Sequence, residues 1–256
     1  MPKPKNVFKE PPGLVETGDP YQKPILEMTN REILAEVSDI LGKPVGVPTD
    51  KIGWIAAAPE DYVAEGEVDA SKLEALYDHG PLVDDYIVTL SLTSLRNRAP
   101  DLFVLIRDQK PGDKVLEFGC GPSTHGIACA QAGCDVHLFD VSTKMLTFAG
   151  ERYHRRGLSM TVWDTAEALP DGFFDTILCT DVLEHVPDPL GTLETFKRVL
   201  KPGGNIHLHV SQAVNLVKGH LPRTIRLWKG PGQRFMKDHF DKITDHNYRK
   251  RADGKS

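Results

Sequence analysis

The chain has 256 residues and a mass of 28.4 kDa, enough for one sizeable α/β domain with an extension. Hydrophobic residues make up 40% and charged residues 26%, and a formal net charge of -5 gives no global attraction to nucleic acid or an anionic membrane. No apolar run approaches the ~20 residues of a membrane-spanning helix, and the start MPKPKNVFKEPPG lacks the apolar core of a secretory signal.

Residues 1 to about 28 carry scattered prolines and are expected as an extended arm. Thr29 and Glu32 then have capping-box spacing, Ile33, Leu34, Val37, Ile40 and Leu41 share one helical face, and Gly42 with Pro44 stops that helix. Ser71 and Glu74 repeat the capping-box spacing before Leu73, Leu76 and Tyr77, and Gly80-Pro81 breaks the second helix. Helical stretches follow from Leu82 to Arg98 and from Asp101 to Asp108. From Lys114 short β-rich runs alternate with helical segments: KVLEF, a helix near Thr124 to Ala132, DVHLFD, a helix from Ser142 to Arg156, SMTVWD, FDTILCTD, a helix near Leu190 to Leu200, and NIHLHV. That alternation predicts parallel βαβ units with helices on both faces of a doubly wound, mostly parallel sheet. After Val210 the pattern fades to one helix and one strand near Lys242 to Tyr248.

The four cysteines, Cys120, Cys129, Cys134 and Cys179, include no C-x-x-C pair. This argues against a disulfide framework or zinc site and for reduced thiols in a cytoplasm.

The most informative stretch is VLEFGCGPSTHG, Val115 to Gly126. A strand ends in Glu117, and Gly119 and Gly121 make a sharp turn into a helix, where a Cβ would block positive φ and keep a ligand from the backbone. In an open α/β sheet ligands sit at the carboxyl ends of the strands, beside such a turn. A tight turn that binds nothing would use the same glycines, and so would a dinucleotide fold. Dinucleotide loops carry G-x-G-x-x-G to lay pyrophosphate on a helix N-terminus. Here Thr124 occupies the third glycine position, and the preceding strand ends in an acid. A carboxylate repels pyrophosphate and attracts the ammonium of a methionine moiety, which favours an amino-acid-bearing cofactor over NAD. Asp140 closes the second strand, where it can accept from both ribose hydroxyls; capping the helix that starts at Ser142 is its other role. Asp164 closes the third strand, ahead of Thr165 and Ala166, where an acid can accept from an adenine amine.

Segments LEFGCGPST, LFDVS, WDTAEALPDGFFDTILCTDVLEHVPDP and FKRVLKPGGNIHLHV occur in that order. With them, residues from about 110 to 211 resemble the class I S-adenosylmethionine-dependent methyltransferases, in particular the small-molecule type that includes ubiquinone-biosynthesis enzymes. The resemblance implies S-adenosyl-L-methionine as cofactor, with Glu117, Gly119, Cys120 and Gly121 around its methionine end. Asp140 and Val141 would hold the ribose and flank the adenine, Asp164, Thr165 and Ala166 would meet the adenine edge, and Thr180 and Asp181 would lie under the methionine moiety. His185 is the candidate general base, since an imidazole titrates near ~6.5. Asp181, Glu184 and His185 have D-x-x-E-H spacing, similar to the E-x-x-E-H that holds a divalent metal in ubiquinone-type O-methyltransferases. The aspartate shortens the reach, and no metal is expected.

The implied division is residues 1–110, an arm and a helical region covering the substrate with Tyr77 and Tyr86 as candidate lining residues, and residues 111–256, the cofactor-binding domain. The leading function is a cytoplasmic methyltransferase acting on a small molecule, with no membrane or nucleic-acid partner. From Arg223 onward ten Lys/Arg face four Asp/Glu, which keeps an RNA or protein methyltransferase as an alternative; a non-catalytic cofactor-binding partner protein is another. The family ends its sheet with a sixth strand and an antiparallel seventh, for which the residues after Val210 carry no hairpin signal. The sheet is therefore expected to be abbreviated there, or completed by another subunit in a homodimer.

Overall fold

The structure is a computed structural model that describes residues 21, 23–47, 78, 83–96, 100–211 and 222–252. The predicted helix led by Ser71 and Glu74, including Tyr77, and most of the N-terminal arm lie outside these residues. The first helix forms as its ends dictate. Thr29 accepts from the Glu32 N–H while the Glu32 carboxylate accepts from the Thr29 N–H, which caps α1 (Asn30–Leu41). Gly42 ends it at φ 65°, a left-handed conformation that glycine adopts without a Cβ penalty. Two further helices, α2 (Val83–Arg96) and α3 (Pro100–Arg107), precede the sheet.

The alternating region runs β1 (Lys114–Phe118), α4 (Thr124–Gln131), β2 (Asp135–Phe139), α5 (Thr143–Arg155), β3 (Thr161–Val162), β4 (Phe174–Thr180), a 3-10 turn (Leu183–His185), α6 (Pro189–Val199) and β5 (Leu200–His209). β1 to β5 pair in parallel. Consecutive strand residues face opposite sides, so Val115 joins the apolar layer beneath α1 to α5 while Leu116 joins the layer beneath α6. Both faces are covered, as a parallel sheet requires. Every hydrophobic residue of β1 is nearly inaccessible, with Val115 and Leu116 at 0% exposure; each such side chain contributes about 1.5–3 kcal/mol of burial. The predicted third strand shrinks to two residues because it pairs only with β2, at the sheet edge.

The end of the chain corrects one expectation. A helical run, α7 (Pro222–Leu227), a π turn (Trp228–Gly232) and α8 (Gln233–His239), leads into a hairpin of β6 (Phe240–Lys242) and β7 (Asn247–Lys250). The π turn holds Pro231, whose missing N–H a wider turn accommodates. β7 pairs antiparallel with both β5 and β6, giving seven strands in the order β3-β2-β1-β4-β5-β7-β6. The end is short in strand length, at 3 and 4 residues, but the chain itself supplies these last two strands of the sheet. Asp101 of α3 makes this possible: its carboxylate accepts from the Thr244 hydroxyl and the His246 N–H, and its carbonyl accepts from Asn247 Nδ2.

Candidate active site

The chain runs from β1 outward through β2 to β3, then returns to β4 on the other side of β1. The reversal leaves a crevice beyond the carboxyl ends of β1 and β4, and a cavity of about 230 Å³ opens there. Its floor is the glycine turn. Gly119 and Gly121 have φ of 68° and 49°, and the N–H groups of Gly119 and Cys120 donate to the Phe139 carbonyl. A Cβ on Gly119 would lie 2.5 Å from Val182 Cγ2, so the turn also brings the residues after β4 close to β1.

The acids at the strand ends are held by backbone. Glu117 accepts from Ser123 Oγ at 2.5 Å and the Gly126 N–H at 3.1 Å, which anchors it at the start of α4. Asp140 accepts from the Gly121 N–H at 2.8 Å through one oxygen and the Ser142 N–H at 2.9 Å through the other. Ser142, not Asp140, caps α5, by accepting from the Met145 N–H. Burial pushes the Asp140 carboxyl up to about 6, against the pull of those two N–H groups, with Glu117 and Asp78 adding to the rise. Each Asp140 oxygen keeps a lone pair beyond the backbone bond it accepts.

Of the residues singled out from sequence, Glu117, Gly119, Cys120, Gly121, Asp140, Val141, Thr180, Asp181 and His185 line this one cavity. Asp164, Thr165 and Ala166 do not. Asp164 is exposed, Thr165 Oγ1 accepts from the Ala168 N–H, and Ala166 offers its carbonyl to Arg198. Thr180 Oγ1 is buried with no hydrogen-bond partner among the described residues. The D-x-x-E-H groups diverge. Asp181 meets His209, Glu184 is buried and accepts from the Ser211 N–H, and His185 faces the cavity from the 3-10 turn. Among the described residues no group of three or more His, Cys, Asp or Glu is arranged to hold a metal ion.

The opposite wall contains residues that sequence reasoning missed. His207 and His209 line the cavity from β5, with His125 from α4. The alternation in NIHLHV was the available signal, since residues two apart on a strand share a face. Burial lowers His207 to about 4. His209 is raised by its hydrogen bond to Asp181, which outweighs burial. Tyr86, the candidate lining residue named from sequence, forms the cover with Leu90, Thr93 and Ser94 of α2 and Leu102 of α3.

The buried polar cluster behind the turn was also missed. Arg152 of α5 donates to the Pro122 carbonyl at 2.6 Å and to Thr124 Oγ1 at 3.0 Å. It also forms a two-bond pair with Glu36 of α1, and Arg156 joins the same carboxylate. Glu36 and Arg152 are both 0% exposed.

Parts of the chain are similar to known proteins. Residues 116–208 match a family model described as a methyltransferase domain. The ubiquinone biosynthesis O-methyltransferase of Methylococcus capsulatus is 36% identical over 108 residues, 41% of this chain and 46% of that protein. The enzyme of the same description from Pseudomonas aeruginosa is 36% identical over 102 residues, 38% of this chain and 44% of that protein. The chain thus spans about half the length of the curated relatives it matches. A solved SAM dependent methyltransferase from Aquifex aeolicus superimposes with a TM-score of 0.49 at 21% identity, covering 72% of this chain and 98% of that one. Residues 116–208 thus match a methyltransferase domain, and over that stretch the chain is similar to S-adenosylmethionine-dependent methyltransferases.

Proposed function

We propose that the chain binds S-adenosylmethionine in the cavity over the Gly119–Gly121 turn and transfers its methyl group to a small-molecule acceptor under α2 and α3. The observation that carries this reading is Asp140, a buried carboxylate in the cavity wall, fixed by two N–H groups and still able to accept two hydrogen bonds. Asp140 would accept from the ribose hydroxyls, the Gly119–Gly121 backbone would admit the methionine end, and Thr180 Oγ1 would gain the partner it lacks. Val141, 43% exposed in the cavity wall, would flank the adenine. When bound, the cofactor supplies an electrophilic methyl on a positively charged sulfur. The protein's task is then to hold a nucleophile in line and exclude water. The cover formed by α2 and α3 would do this, so we read the region before residue 111 as the acceptor side and the remainder as the cofactor side.

A small acceptor suits the cavity because its lining among the described residues contains no lysine or arginine. In the basic tail, Lys242 pairs with Asp245 and Arg251 with Asp241, while Lys250 caps the Lys197 and Leu200 carbonyls, which lowers the charge offered to a polyanion. The four cysteines are buried and unbridged, in keeping with a reducing cytoplasm, and no helix among the described residues is long and apolar enough to cross a membrane.

Calorimetric titration with S-adenosylmethionine tests the proposal. The native chain is expected to bind, and Asp140→Ala to lose about 10- to 100-fold, since hydrogen bonds to a charged group contribute about 1.5–3 kcal/mol. Ribose donors favour the anion, so affinity should weaken as pH falls through about 6, where free Asp140 takes up a proton. Absence of binding by the native chain at pH 7.5 refutes the proposal. Incubation of the binding-competent protein with labelled donor and a metabolite extract then identifies the acceptor.

A further inference from the structure

We propose that Asp181 and His209 form a carboxylate–imidazole dyad whose Nε2 removes the proton from a hydroxyl acceptor during methyl transfer. The proposal rests on the transfer reading above and names its base and acceptor class: an alcohol or phenol that is un-ionised at neutral pH.

Three observations converge on the pair. Asp181 Oδ1 lies 2.5 Å from His209 Nδ1. An ionised carboxylate only accepts, so the proton of the neutral ring sits on Nδ1 and the Nε2 lone pair is left as the base. The pairing is built into the sheet. Thr180 and His209 are register partners at the carboxyl ends of β4 and β5, and the Asp181 N–H donates to the His209 carbonyl at 3.1 Å. Asp181 also holds φ 55°, a left-handed conformation that is uncommon for a non-glycine residue and clusters at functional sites. That backbone turn directs the carboxylate to the histidine at the cavity wall. Both side chains remain partly open, at 51% and 35% exposure, so a captured proton can pass to water.

The proton balance is complete. The acceptor O–H bond breaks, its proton passes to Nε2, the oxygen pair forms the new C–O bond, and the methyl–sulfur pair leaves with sulfur. The resulting imidazolium is stabilised by Asp181 and then deprotonates to solvent. The groups facing His209 are Asp181 after β4, Glu184 in the 3-10 turn, Asp101 on α3, and His246, whose ring centroid is 4.8 Å away. The hydrogen bond to Asp181 raises His209 above its ordinary value, so the base is neutral only on the alkaline side and the rate should rise with pH.

The test compares two acceptors of matched shape, phenol and thiophenol, the second already ionised at pH 8. His209→Asn should lower transfer to phenol by about 10²- to 10⁴-fold, the contribution of a general base, while leaving thiophenolate and cofactor affinity within threefold. Equal losses on both acceptors, or no loss on phenol, overturn the proposal. Asp181→Asn should move the inflection of the phenol rate profile to lower pH, because Asp181 is a positioning residue; an unmoved inflection overturns that role. Imidazole ¹⁵N spectra of the native chain judge the dyad without any acceptor. A His209 Nδ1–H tautomer supports it and an Nε2–H tautomer sinks it. If the tautomer is as expected but neither acceptor is methylated, the transfer reading is what has failed.

Discussion

Glu36 is the anion between two buried guanidiniums, and Glu36→Gln removes its charge while keeping its shape. Burial alone would push this carboxyl up, but Arg152 and Arg156 outweigh it and hold it at about 2, against an ordinary 4.5. Burial lowers Arg156 despite the same contact; the carboxylate's direction is the one the geometry supports, because one anion faces two cations. The fall from 4.5 to about 2 corresponds to about 3 kcal/mol of stability. Leaving two cations unneutralised in the interior gives a similar figure, about 3–5 kcal/mol. At pH 7 the variant should therefore unfold about 3 kcal/mol more easily in urea, and melt about 6–12 °C lower at the scaling of a chain this size. The sign of the pH dependence follows from a depressed carboxyl: the native chain holds this stability above pH 4.5 and loses it as pH falls towards 2, whereas the variant has nothing to lose there. Arg152 also holds the Pro122 carbonyl and Thr124, so loosening it should weaken cofactor binding as well. A variant within 1 kcal/mol of the native chain at pH 7 would refute the reasoning.

Two more substitutions isolate single causes. Burial raises Glu184 to about 8 from 4.5, so the folded state retains a proton that the unfolded chain releases, and this site erodes stability as pH rises from 4.5 to about 8. Glu184→Gln should add about 3 kcal/mol at pH 7, measured as a higher urea midpoint and a flatter stability profile; no gain at pH 7 contradicts the assignment. Gly119→Ala places a Cβ 2.5 Å from Val182 at φ 68°, so it should abolish measurable cofactor binding. Gly157→Ala, with φ 62° and open space around it, has only the backbone strain of about 1–3 kcal/mol and should bind normally; equal damage from both would remove Val182 from the explanation.

The parts of this molecule that were legible in its sequence are those set by neighbouring residues. The capping box at Thr29, the stop at Gly42, the βαβ alternation and the glycine turn all express local backbone preferences. The hairpin of β6 and β7 was not legible, because strands of 3 and 4 residues with mostly polar side chains carry no period-2 signal. Its place is fixed from outside, by β5 and Asp101. Glu36 lies beside Ile33 and Val37 on the apolar face of α1, a visible anomaly, but the guanidiniums that neutralise it are more than 100 positions away. His209 reads as an ordinary strand residue until Asp181 is seen across the sheet. Asp164, Thr165 and Ala166 show the opposite limit: their order along the chain suggests an adenine contact, while they are not among the residues that line the cavity.

Asp101 joins a helix at the front of the chain to a hairpin about 145 positions later, and this staple has a consequence for the order of assembly. The glycine turn, β1, α4 and β2 are close in sequence and can form while later residues are still being synthesised. The β5 histidines gain their ring neighbour His246 only when the final hairpin closes against α3. A nascent chain released before residue 247 would hold the cofactor half of the cavity with its proton-accepting wall unfinished. Order of synthesis thus separates the glycine turn from the contact between α3 and the final hairpin, which can close only after the last strand has been made.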